Sequence, residues 1–133
     1  MFRTKAGRGV AAGIAGLGLV TALLVPSALA HPSATPALVG NSKAGKTVFV
    51  STCAVCHTLK AAGAQGNIGP NLDKVAPALT QALLIKAITN GGSSIMTKAA
   101  IAKYPTTMTP YKYLGTTKIQ NISRFVYEST HKM

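Results

Sequence analysis

Cys53-Ala54-Val55-Cys56-His57 is the stretch from which the rest of the chain is read. Two thiols three positions apart on a helical turn can each add to one vinyl group of the same haem. The next residue, His57, then faces the iron and supplies a ring nitrogen. Both cysteines of the chain are spent this way, and none is left for a disulfide framework. Three other readings compete. A redox-active dithiol expects a βαβ setting, which the flanking pattern lacks. A zinc site needs four protein ligands, yet only three sit together, with His31 and His131 in the tails. A structural disulfide would close a tight loop of two intervening residues. Covalent attachment of one haem through Cys53 and Cys56, with His57 on the iron, is the reading followed outward from here.

A simple electron carrier closes the other axial position of its iron, most often with Met or His, and Met raises the potential. The downstream candidates are Met96, Met108, His131 and Met133. The last two lie at the terminus. Met108 lies in the stretch Tyr104-Pro105-Thr106-Thr107-Met108-Thr109-Pro110-Tyr111. The flanking prolines stiffen this loop and keep it extended, so it can hold a thioether against iron without a helix. Met96 follows Gly91-Gly92, where core filling is its expected role. Met108 is therefore expected as the second axial ligand.

Around these residues the pattern is helical. Lys43 to Thr52 reads as a short helix with Ser42 as its N-cap. Gly45 and Phe49 share a face, and the glycine marks the close passage of another backbone. Pro77 to Asn90 is amphipathic, with Leu79, Leu83 and Ile88 near one face and Leu84 extending it. Ser93 to Lys103 is expected to add a further turn or two. Thr116 to Ser129 forms the last helix, capped by Thr116, with Ile119, Ile122, Phe125 and Val126 as its apolar stripe. No strand alternation and no repeat is visible, so the fold class is all-α. Between the motif and the middle helix, Lys60 to Val75 is rich in glycine. Gly69-Pro70-Asn71-Leu72 within it reads as a plain turn. The carbonyl of Pro70 is nevertheless free to accept the second N–H of His57 and fix the ring.

Length and charge bound the rest. The 133 residues make one domain. Met1 to Gly9 carries Arg3, Lys5 and Arg8; Val10 to Val25 is uncharged; Pro26 breaks the run, and Ala28-Leu29-Ala30 offers small residues to a signal peptidase. Residues 1–30 therefore read as a secretory signal, with an uncleaved anchor as the alternative. The apolar run of about 16 residues falls short of the 20 or so that span a bilayer. Residues 31–42 read as a mobile lead-in, and 43–133 as the folded domain. The chain has 14 Lys and Arg against 2 acidic residues. Without the three cations of the leader, 11 against 2 still leaves +9. Such a field attracts acidic partners and anionic membrane surfaces. Export argues against nucleic acid, and the cations are scattered rather than striped. A very acidic medium is a second explanation for so few carboxylates, since low pH would neutralise them.

Together these residues resemble the class I cytochrome c family, over Gly45 to about Thr130. In that family a Gly and an aromatic stand eight and four positions before the first haem Cys, where Gly45 and Phe49 stand here. Its Gly-Pro-x-Leu resembles Gly69-Pro70-Asn71-Leu72, which implies that Pro70 holds His57. Its first helix crosses the last one against an aliphatic and an aromatic three apart, and Ile122 and Phe125 look like that pair. Its ligand Met is usually followed by Pro, whereas Thr109 intervenes here before Pro110. The resemblance implies a small cytochrome c-like bundle of three to five helices around one covalent haem c. The motif lies early in the mature chain, unlike the four-helix cytochromes with an open iron.

The function expected is a periplasmic one-electron carrier between redox proteins of a respiratory chain, not an enzyme, since no acid–base pair or nucleophile is evident. Lys60, Lys74 and Lys112 are candidates for docking an acidic partner, or serve solubility alone. The rival expectations are a fixed subunit of a membrane oxidase or dehydrogenase, and a haem enzyme or gas-binding protein with an open distal site.

Overall fold

A computed structural model describes residues 37–131 of the chain. The leader over 1–30, His31 and Met133 lie outside the described residues. The described residues form five α-helices: α1 (Ser42–Thr52), α2 (Leu72–Val75), α3 (Gln81–Asn90), α4 (Lys98–Ile101) and α5 (Thr116–Thr130). None of them is long and apolar enough to cross a membrane. The all-α class holds, with one addition. Two strands of two residues each, β1 (Thr58–Leu59) and β2 (Ala64–Gln65), pair antiparallel. Strands this short leave no alternation to read.

Helix α1 starts one residue earlier than its sequence implies. Asn41 is the cap, and its side chain accepts the Ala44 N–H at 2.9 Å. Ser42 is thus the first helical residue. At the other end of the bundle Thr116 likewise begins α5 rather than capping it. Gly115 holds that position, with φ +81° and no side-chain cap bond.

The middle helix departs most. Pro77 sits in a 3-10 turn over Ala76–Ala78, and α3 begins four residues later behind Thr80. The Thr80 hydroxyl accepts the Leu83 N–H, so the capping side chain and not the proline sets the start. That start fixes which face is buried. Gln81, Leu84, Ala87 and Ile88 point inward, while Leu83, expected in the stripe, is 37% exposed. The expected Ser93–Lys103 segment splits into a 3-10 turn, Gly92–Ser94, and α4, which Thr97 caps.

The core lies where α1 crosses α5 and α3 packs on α5. Phe49 of α1 meets Phe125 of α5 edge-on, with ring centroids 5.8 Å apart and planes at 63°. Ile119, Ile122, Phe125 and Val126 are all buried, as their spacing predicts. The crossing is close enough that Gly45 lies against the backbone of Asn121.

From Leu38 onward the expected lead-in is tied down. Val39 exchanges two hydrogen bonds with the amide of Gln81, at 2.9 and 2.6 Å. Asn41 N–H reaches Asn121 Oδ1 at 2.7 Å, and Arg124 donates to Leu38 O at 2.7 Å. Gln81 is buried and also donates to Ser123 Oγ. These bonds satisfy the backbone polar groups of the segment and fix it to α3 and α5.

Both acidic residues are at work in the fold. Asp73 accepts the backbone N–H of Lys60 at 2.9 Å, which closes the loop after the motif. Glu128 pairs with Arg124 one helical turn earlier on α5.

Candidate haem site

The motif continues α1. Cys53 caps that helix and donates its N–H to Phe49 O at 2.8 Å. Cys56 and His57 both donate back to Cys53 O, at 3.1 and 3.0 Å. The five residues thus form one tight turn, and this turn brings the two thiols and the imidazole to a common wall. Their wall belongs to a cavity of about 590 Å³, a size typical of small-molecule sites.

Glycines let the following loop wrap onto the motif. A Cβ on Gly66 would stand 2.6 Å from Ala54 O, and one on Gly69 would stand 2.8 Å from Cε1 of His57. Gly69 N–H donates to Cys56 O at 2.8 Å. This brings Pro70 O to 2.9 Å from His57 Nδ1. The carbonyl can only accept, so Nδ1 carries the proton and the neutral ring keeps its lone pair on Nε2. Nε2 has no hydrogen-bond partner among the described residues. His57 is otherwise buried, at 8% exposure.

Across the cavity, Met108 and Met96 both contribute to the lining. Gly92 N–H donates to Met108 O at 3.1 Å, and Tyr111 N–H to Ile88 O at 2.8 Å. These two bonds hang the methionine loop on the end of α3. His131 does not reach the cavity. It stacks on Tyr127 with ring centroids 3.8 Å apart. Lys60, Lys74 and Lys112 are exposed and outside the lining. Leu72 and Val75 of α2 and the rings of Tyr104 and Tyr111 also line the cavity. Sequence reading missed them as site residues: a four-residue helix shows no periodicity, and loop tyrosines carry no positional signal.

The chemistry of the thiols separates the readings of the motif. Burial first, and the neighbouring Cys56 second, push the Cys53 thiol up to about 11. Redox-active dithiols show the opposite, a thiolate favoured at neutral pH. Both cysteines are unpaired, so no disulfide joins them. No group of three or more His, Cys, Asp or Glu converges as metal ligands among the described residues, which leaves zinc without its donor set. What remains is a mostly aliphatic cavity, two thiols on one turn, an oriented imidazole and thioether sulfur. That set fits a covalently held haem.

The family model for cytochrome c matches residues 42–129. The chain belongs to the cytochrome c family, and its cofactor is haem c, bound covalently; Cys53 and Cys56 fit the attachment motif. It is a haem-based electron carrier. No curated protein and no solved structure matches the chain significantly.

Proposed function

We propose that the protein is exported and carries single electrons in the periplasm between redox proteins of a respiratory chain, with His57 and Met108 as the axial ligands. The observation that carries this reading is the gathering of Cys53, Cys56, His57 and Met108 on one apolar cavity. Haem supplies, when bound there, an iron that alternates between two oxidation states. The protein's part is to hold and shield. Pro70 fixes the His57 ring through Nδ1, which leaves Nε2 for the metal. Met108 offers a neutral thioether, which favours the reduced state and so raises the potential. The aliphatic lining keeps water out and keeps the surroundings from reorganising as charge comes and goes.

Neither carboxylate of the chain lines the cavity. Asp73 is engaged with a backbone N–H and Glu128 with Arg124. This supports a carrier over a catalyst. The leader over 1–30 supports export. The +9 of the remaining chain supports docking to an acidic partner, with Lys60, Lys74 and Lys112 as candidate contacts.

Spectra of the purified protein before and after reduction test the ligation. A weak sulfur-to-iron band in the oxidised form and poor carbon monoxide binding in the reduced form are expected. An iron that binds carbon monoxide at once would instead mark an open site. Recovery from the periplasmic fraction tests location, and a membrane fraction that resists salt would favour a fixed or anchored subunit.

A further inference from the structure

Four sulfur-bearing side chains occur among the described residues, Cys53, Cys56, Met96 and Met108, and all four line the same cavity. Three have a part in the proposed function; Met96 has none. Its position is close to that of Met108. A Cβ on Gly92 would stand 3.2 Å from Met108 Cβ and 3.8 Å from Met96 Sδ. The Met96 sulfur therefore lies within about 7 Å of Met108 Cβ.

The two methionines are held differently. Of residues 105–110, two are prolines without an N–H, and one backbone hydrogen bond, from Gly92 N–H to Met108 O, ties the stretch to the rest of the fold. Segments with so few anchors open locally at low cost. Met96 sits between two fixed points. On one side Ile95 N–H bonds Gly92 O, and Ser94 Oγ bonds Gly91 O at 2.7 Å. On the other, Thr97 caps α4 through the Ala100 N–H at 3.2 Å.

We propose that Met96 is a reserve axial ligand, whose thioether takes the metal when Met108 leaves it. The proposal rests on the reading of Met108 as the resident ligand. The exchange breaks one sulfur–iron bond and forms another of the same kind, and it moves neither proton nor electron. An unbranched thioether with three rotatable bonds suits this role, because it can swing without a backbone shift. The protein would thereby keep a closed iron, and small ligands would be kept off, even while the loop is open. A space-filling role alone would be met equally by Leu.

The test uses the full haem protein labelled with carbon-13 at the methionine methyls. A methionine on reduced low-spin haem iron shows a methyl resonance displaced far upfield by the ring current. Wild type and Met96→Leu are expected to show one such methyl each. Met108→Leu keeps the bulk of the side chain, and a displaced methyl is expected to persist in it. The double variant M96L/M108L is expected to lose it and to bind carbon monoxide when reduced. If M108L shows no displaced methyl and takes up carbon monoxide as fast as the double variant, Met96 never reaches the metal. Met108 would then still stand as ligand. If M96L alone loses the methyl while M108L keeps it, the Met108 assignment itself falls, and the reserve role with it. Should M108L fail to mature, M96L decides. Its reduced form is expected to capture carbon monoxide several-fold faster than wild type, and equal rates overturn the proposal.

Discussion

Gly45 of α1 faces Asn121 of α5 so closely that a Cβ on the glycine would stand 1.9 Å from the Asn121 carbonyl oxygen. The same Cβ would stand 2.9 Å from Cβ of Phe125. Backbone cannot yield as a flexible side chain can, so the two helices would have to part. Their separation would pull Phe49 off Phe125, the edge-on pair at the centre of the core. Gly45→Ala gains helix propensity, about 0.5–1 kcal/mol. Overpacking costs more, typically 1–3 kcal/mol. The expected result is a net loss of about 1 kcal/mol. Denaturant unfolding of the haem protein checks this. The midpoint should fall with the slope unchanged, and an equal or higher midpoint would refute the close crossing.

A second pair of substitutions separates what Pro70 and Gly69 each do for His57. Pro70 acts through its carbonyl, 2.9 Å from Nδ1, and every residue has a carbonyl. Pro70→Ala should keep the bond and lose only the stiffness of the ring, about 0.4–1 kcal/mol. Gly69→Ala should be worse. Its Cβ would stand 2.8 Å from Cε1 of His57 and push the imidazole aside. The reduction potential and the absorption spectrum should shift clearly in G69A and little in P70A. The reverse order would show that the proline ring itself holds the histidine.

How far the sequence carries can be judged from particular residues. The motif and the stripe Ile119, Ile122, Phe125 and Val126 are legible because each signal is local and strong, a spacing and a period, while the cap of α1 falls one residue earlier, at Asn41. The start of α3 is not, because Pro77 and Thr80 are both residues that begin helices, and the structure shows the Thr80 cap prevailing. That choice turns Leu83 outward and Gln81 inward. Met96 and Met108 are twelve positions apart, and the sequence gives no sign that both adjoin Gly92. The proximity arises because Gly91, at φ +88°, turns the chain at the end of α3 back under the later loop.

Gln81 is the polar residue that sequence reading had no reason to bury. Its amide bonds both backbone groups of Val39, 42 positions away, and donates to Ser123 Oγ. Gln81→Leu would keep the volume and take both partners from the Val39 N–H and carbonyl. Val39 is 40% exposed, so water replaces those two partners, and the cost is that of protein bonds exchanged for solvent, about 0.5–1.5 kcal/mol each. The segment from Leu38 to Gly40 should detach before the bundle unfolds, because Arg124 and Asn121 alone would still hold it. Hydrogen exchange at the Val39 amide should therefore accelerate far more than the global stability falls. A uniform loss across all amides would mean that the segment belongs to the core.

The pair on α5 sets how the fold meets acid. The hydrogen bond from Arg124 is the first cause that holds the Glu128 carboxyl below its ordinary range; burial opposes it weakly, and Ser42 assists. A carboxyl with a lowered folded pKa stabilises the protein at pH above its unfolded value of about 4.5, and this is lost as pH falls through the folded value. The pair lies at the surface with side chains 28% and 24% exposed, so solvent screens it and its share is modest. With only 2 acidic residues in the chain, few groups can take up protons on unfolding in this range. The carboxylate contribution to stability should thus stay constant from pH 7 down to about 5 and decline gently below that. Glu128→Gln should lower the plateau slightly and shallow the decline, because the variant has no proton to take up there. Acid titration followed by circular dichroism measures both. A steep cooperative collapse above pH 4.5 in wild type would show that some other group governs acid unfolding, and would end the idea that so few carboxylates equip this chain for an acidic medium.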